Sequence, residues 1–257
     1  MNEVIIKMVK NVPDKRGQIS HYGHFIHDFI VPLIHHIQST KSKYTHIYLN
    51  DYATWTSLGN FKAMAEKILG LKITQLPHED INILDHPIVI ISTLSFGPYQ
   101  PILFKNIIPY VSNTLSITKT EYSVILIERI KPKIGSNFHN RVLENHKTLI
   151  NKLTNYFGSI FKNVILEDLT IDEQVSLFMN ADIVIGQHGA GLCNIVWMNK
   201  PKSLIIEFPP YIVNTFKNMA KAKNYKYSRI EPIPHKVIDI CKIKMPHINK
   251  NTTLLLE

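Results

Sequence analysis

The sequence is poor in several features that usually announce a function. It holds two cysteines in 257 residues, Cys193 and Cys241, with no CxxC or mixed Cys/His spacing. That excludes a disulfide framework and a cysteine-based zinc site, and both thiols read as small buried residues in a reducing compartment. No run approaches the roughly 20 consecutive apolar residues of a membrane-spanning helix, and the start of the chain has no signal-peptide core. The expectation is a soluble, cytoplasmic protein with no integral membrane segment. Two phosphate-binding signatures are missing, GxGxxG and GxxxxGK[ST], which disfavours a dinucleotide fold or a P-loop. Internal repeats and low-complexity tracts are also lacking.

Acidic residues are the scarcer charge, 20 against 29 Lys and Arg, for a formal net charge of +9. An acidic partner would suit that balance. The lysines are scattered, however, with no basic run of five, and Ile, Asn and Lys are abundant together, as AT-rich coding produces. A nucleic-acid-binding protein would show a contiguous basic stripe with interleaved aromatics, and none is present. No nucleic-acid partner is expected.

What is present is a core and a rhythm. Hydrophobic residues make up 45% of the chain, enough for one large domain or two of about 120 residues. EVIIKMV, THIYLN and PIVIISTL are β-branched runs of strand length, separated by HFIHDFIVPLIHHIQ and FKAMAEKILG at helical spacing. SFGPYQPILF, with Gly97, Pro98 and Pro101, reads as a loop leading into a short helix. A second series follows: strand YSVILIER, helix NRVLENHKTLINKLTNYF, strand KNVILED, helix TIDEQVSLFMN, strand ADIVIG, a helix start at GLCNIVWM, strand KSLIIEF and helix FKNMAKAKN. Thr170 and Glu173 form a capping-box pattern before the second of these helices.

This βαβ alternation predicts an α/β fold with parallel sheets flanked by helices. The two series predict two Rossmann-like halves, 1–116 and 117–257, joined near the polar stretch 112–121. Ligands of such folds bind at the carboxyl ends of the strands, here expected in a cleft between facing halves.

One such strand end reads GQHGAGLCNIVW, residues 186–197. Gly189 and Gly191 allow positive φ and close backbone approach, and the amides that follow are helix N-terminal donors suited to an anion. His188 could donate to a phosphate oxygen, and Asn194 lies in the first turn. The competing reading is that the glycines permit tight strand–helix packing. Arg129 ends strand VILIER and Arg141 opens the next helix, so both fall near the same sheet edge as phosphate contacts or as structural ion pairs. Glu207, ending SLIIEF, is placed either to accept from two ribose hydroxyls or as a solvated strand end.

From Glu167 to Phe208 the sequence resembles the C-terminal part of glycosyltransferase family 61. The matching features are Glu173 through Ala181, the His188–Leu192 HGAGL turn (His188, Gly189, Ala190, Gly191, Leu192), Asn194, Trp197–Met198 and Glu207. Trp197 stands where the family usually has Phe. Arg129, Arg141 and Asn145 resemble the family's arginine strand and its Arg-and-Asn helix. YGHFIHDFIVPL resembles an N-terminal family helix, matching at His24, Asp28 and Pro32.

The resemblance implies a GT-B architecture with the donor held mainly by the C-terminal half. It also implies inverting transfer from a nucleotide-sugar, usually UDP-linked, to a hydroxyl of a glycan or protein acceptor. No DxD carboxylate pair is present, so the departing pyrophosphate is expected to meet fixed charge from Arg129, Arg141, His188 and the helix N-terminus, with no metal and no other cofactor. Inversion needs a base on the acceptor hydroxyl. His24 and Asp28 are four apart and share a helix face. Either His24 is the base with Asp28 orienting it, or Asp28 is the base and His24 binds the acceptor, or the pair belongs to an amphipathic helix surface. Tyr22, Asp51, Tyr52 and Trp55 are candidate acceptor contacts, since aromatics stack on sugar faces. Two further alternatives are a polysaccharide pyruvyltransferase-like enzyme, against which HGAGL argues, and a nucleotide-binding relative without activity.

Overall fold

Consecutive parallel strands need a crossover long enough to carry a helix, and that requirement organises the whole chain. The computed structural model describes residues 3–9, 19, 21–51, 58–77, 80, 84–92, 99–129, 143, 145–209 and 213–248. The chain divides into two units, Met1–Ser116 and Ile117–Glu257. Each is built round one parallel sheet, the mixed α/β composition that the βαβ alternation predicts. Arg141, Tyr52 and Trp55 lie outside the described residues.

In the first unit β1 (Glu3–Val9), β2 (His46–Asp51), β3 (Lys72–Pro77) and β4 (Ile88–Ser92) are ordered β3-β2-β1-β4. Asp51 is the last residue of β2. The sequence pattern does not announce β3, because KITQLP mixes polar residues with a proline. Its pairing with β2, from His46↔Lys72 to Asp51↔Pro77, supplies the stabilisation that the pattern lacks, and its proline sits at the end of an edge strand.

The helix expected over residues 24–38 is present but irregular. An α-turn at Tyr22–His24 leads into a π-helical stretch, Phe25–Ile30, and then an α-helix, Val31–Thr40. Pro32 has no amide to donate to the Asp28 carbonyl, and its ring would crowd that carbonyl in a regular α-helix. The wider turns just before it accommodate the fault. Residues from Phe25 to Ile34 are buried on all sides. This is a central core helix rather than an amphipathic surface one.

In the second unit β5 (Val124–Glu128), β6 (Phe161–Ile165), β7 (Ile183–Gln187), β8 (Leu204–Phe208) and β9 (Lys226–Arg229) are ordered β6-β5-β7-β8-β9. Alternate strand residues Val124, Leu126, Ile183, Ile185, Leu204 and Ile206 pack against Leu149, Leu153 and Phe157 of the helix His146–Phe157, and against Val237 and Cys241 of the helix Pro234–Lys244. The intervening residues face the other side of the sheet. Lateral pairing puts Ile127, Gly186, Glu207 and Arg229 in one row across β5, β7, β8 and β9.

Local signals hold where they are strong. Thr170 caps the helix Ile171–Asn180, and the Glu173 side chain returns to the Thr170 amide, completing a capping box. The helix Ile107–Thr114 runs into the stretch read as a polar junction, and buried Leu115 follows it. GLCNIVWM forms a 3₁₀ helix, Ala190–Trp197, in place of the start of an α-helix. Among the described residues no helix is long and apolar enough to cross a membrane.

Candidate active site

The parity of the strands gathers a site at the carboxyl edge of the second sheet. Arg129 follows β5 two residues after Ile127, and His188 follows β7 two residues after Gly186. Glu207 and Arg229 lie in the same row as Ile127 and Gly186, so period-two alternation puts all four of these polar residues on one face. Arg129 donates through Nη1 to the His188 carbonyl at 3.3 Å. His188 engages Glu207 Oε1 through Nδ1. Glu207 Oε2 accepts from the Tyr227 hydroxyl and, at 3.2 Å, from Arg229 Nη2. A continuous hydrogen-bonded chain thus crosses β5, β7, β8 and β9.

The members of this chain differ in access. The Glu207 side chain is 0% exposed, against 13% for His188 and 23% for Arg229. Burial pushes the Glu207 carboxyl up, but the hydrogen bonds from His188 and Tyr227 and the charges of His188 and Arg229 outweigh it and hold the group below its ordinary value. Burial, reinforced by the hydrogen bond to Glu207, raises the Tyr227 phenol and keeps it a donor. Glu207 is therefore not a solvated strand end: its side chain is buried and both oxygens have partners within the protein.

The turn itself is partly a packing device. The His188 amide is bonded to the Phe208 carbonyl at 3.0 Å, and Leu192 N to Gly189 O at 3.0 Å. Ala190 and Gly191 begin the 3₁₀ helix, so their amides have no acceptor within it. A Cβ on Gly191 would lie 3.2 Å from both Ile127 Cγ2 and Leu166 Cδ1. Its smallness thus serves the contact with the sheet, the packing alternative read from the sequence. Gly189 is nearly extended, at φ 159° and ψ 179°.

Two expected contacts move into the core. Leu192 is buried against Gly186. Asn194 is also fully buried: its amide nitrogen donates to Gly191 O at 3.1 Å, and its Oδ1 accepts from the Trp197 indole at 3.0 Å. That explains why an indole can occupy position 197, since its N–H has an internal partner. Lys223 and Tyr225 donate to the carbonyls of Val196 and Met198, closing the far end of the same helix. Among the described residues of this turn, the surface left to a ligand comprises His188, Gly189, Ala190 and Gly191, flanked by Arg129.

Asn145 precedes the helix His146–Phe157, and its side chain donates to the Pro232 carbonyl at 2.7 Å, fastening that helix to the segment after β9. A cavity of about 320 Å³ adjoins the carboxyl end of β9, lined by Pro209, Arg229, Ile230, Glu231 and Lys236. Tyr227, Arg229 and Lys236 escaped the sequence reading. The alternation in YKYSR marks Tyr227 and Arg229 as sharing a face, but only the pairing with β8 says that this is the face of Glu207.

In the first unit His24 Nδ1 and Asp28 Oδ2 lie 2.6 Å apart, with His24 13% and Asp28 4% exposed at their side chains. The i,i+4 pairing survives the π-helical stretch. Tyr22 packs into an aromatic cluster, 5.7 Å from the Phe61 ring and 6.2 Å from Phe25. Behind the pair, fully buried His27 is hydrogen-bonded to the Tyr99 hydroxyl at 2.8 Å, and burial drives its pKa down to about 4.

A protein-family model described as Glycosyltransferase 61 matches residues 22–205, well over half of the chain. No curated protein matches it.

Proposed function

The chain belongs to glycosyltransferase family 61, and from that premise we propose that it transfers a sugar from a UDP-sugar to a hydroxyl of a glycan or protein acceptor, inverting the anomeric centre without a metal. The Ile117–Glu257 unit holds the donor and the Met1–Ser116 unit serves the acceptor. The observation that carries this reading is the convergence of Arg129, His188 and the first amides of the 3₁₀ helix on one edge of a parallel sheet. A departing UDP gathers negative charge on its diphosphate, and fixed donors aimed at that charge lower the barrier. The sequence has no DxD pair for a metal, so Arg129 and His188 supply the countercharge.

In the acceptor step a base removes the hydroxyl proton as the oxygen attacks the anomeric carbon and the bond to UDP breaks. His24 is the base in this proposal. Asp28 is the more buried of the two, and its carboxylate is committed to His24 Nδ1. That fixes the ring and directs Nε2 to the hydroxyl, as in other carboxylate–histidine pairs.

Calorimetric titration with UDP and with GDP, with and without EDTA, tests the donor site. Selective, EDTA-insensitive binding of UDP is expected, weakened about tenfold or more in Arg129→Ala and in His188→Ala, the scale of a lost hydrogen bond to a charged group. UDP binding that requires a metal, or that both variants leave unchanged, overturns the proposal.

A further inference from the structure

Tyr227 and Arg229 lie beyond the residues that the family model matches, and no step of the proposed transfer uses them. Both meet Glu207, which is reached from its two flanks: by His188 Nδ1 from the β7 side, and by the Tyr227 hydroxyl and Arg229 Nη2 from β9. Arg229 is itself anchored, donating to the Val213 carbonyl at 2.5 Å.

A fully buried carboxyl in this position has two self-consistent states. Ionised, it accepts from all three neighbours, and the histidine carries its proton on Nδ1. With one more proton taken from solvent, the carboxyl donates to Nδ1 and the histidine carries its own proton on Nε2. Burial alone favours the protonated state. Two donors from β9, one of them a cation, favour the ionised one. Among the described residues Arg129, bonded to the His188 carbonyl, and the Phe216 ring, 5.1 Å from the imidazole, also face the pair.

We propose that Tyr227 and Arg229 are positioning residues that keep Glu207 ionised and so hold the His188 proton on Nδ1, with the result that a diphosphate binds at His188 with uptake of one proton from solution. The uptake rests on the reading of this edge as a diphosphate site. The balance is simple: Nε2 of a neutral imidazole takes a solvent proton and becomes a cationic donor, and Glu207 keeps its charge.

Two measurements on the full chain separate this proposal from the functional reading. The first needs no ligand. Side-chain ¹⁵N and ¹³C NMR is expected to show a Nδ1–H pattern for His188 in the native protein. The Nε2–H pattern is expected in Glu207→Gln, whose amide can donate to Nδ1. In Tyr227→Phe and Arg229→Met the pH at which the Glu207 carboxyl signal titrates rises by about one pH unit. Tyr227→Phe removes one hydroxyl, so it keeps the test decisive if Arg229→Met does not fold. The second is UDP titration in buffers of different protonation heat at pH about 8. About one proton is taken up per UDP by the native chain, and close to none by Glu207→Gln. A native Nε2–H pattern, or a Glu207 signal unmoved in both β9 variants, overturns the positioning role even if UDP binds. Failure of the native chain to bind UDP, with the NMR as expected, overturns the diphosphate site and its proton uptake while leaving the positioning intact.

Discussion

His24 and Asp28 form a 2.6 Å contact inside a helix whose following turns are buried on all sides. A polar pair at the head of a core helix costs desolvation that a surface pair escapes, and the site recovers this cost through the hydrogen bond. His24→Ala and Asp28→Asn are expected to lower the rate of sugar transfer about 10²- to 10⁴-fold while leaving UDP affinity within twofold of native. Rates and affinities measured on the same preparations check this. A parallel fall of affinity in both variants assigns the pair to the fold rather than to catalysis.

Gly191 sits close against Ile127 and Leu166, so that an added methyl group would lie 3.2 Å from each and both side chains would have to give by a few tenths of an ångström. Gly191→Ala is expected to destabilise the chain by about 1–2 kcal/mol, the cost of modest overpacking. Displacement of the turn should also weaken UDP binding. Urea unfolding and UDP titration measure the two effects, and an unchanged urea midpoint refutes the packing role.

His27 gives stability a dependence on acid. Its folded pKa is about 4, below the ordinary 6.5. Between these values the unfolded chain binds the extra proton, so stability is fully present above about pH 6.5 and is lost as pH falls toward 4. The loss is on the order of 3 kcal/mol, since each tenfold change in proton affinity is worth about 1.4 kcal/mol. Urea midpoints from pH 7 to pH 4.5 should fall in the native protein and flatten in His27→Gln.

Lys223 acts in the neutral-to-alkaline range. Burial pulls its ammonium down to about 7. Between about 7 and the ordinary lysine value near 10.4, the unfolded chain carries the proton and the folded chain does not. Stability therefore rises as pH increases through that window. Cys241, pushed up by burial to about 12, works the other way once unfolded thiols ionise above about 8.5. An increase in urea midpoint from pH 7 to 8.5 is expected, and Lys223→Met should abolish it.

Much of the architecture is legible in short windows. Strand-length β-branched runs alternate with helical periodicity because side chains recur every two residues in a strand and every three or four in a helix. The Thr170–Glu173 capping box spans three residues and forms as the pattern says. The HGAGL turn, too, can be recognised from consecutive residues. What such windows blur is the irregular backbone: Pro32 signals a disturbance in the helix, but not its resolution as a π-helical stretch.

The order of amino acids was enough to dictate the succession of strands and helices, the glycine turn after β7 and the presence of a histidine and an arginine at strand ends. What those residues touch was settled by tertiary pairing alone. Arg129 meets the His188 carbonyl across 59 positions, and Glu207 gathers His188, Tyr227 and Arg229 from 19 to 22 positions away. These meetings depend on strand register, and a shift of one residue would turn every side chain of a strand to the opposite face. Register is a property of paired strands, which is why Glu207 became a buried acceptor, whereas Leu192 and Asn194 passed into the core through the packing of the 3₁₀ helix that carries them.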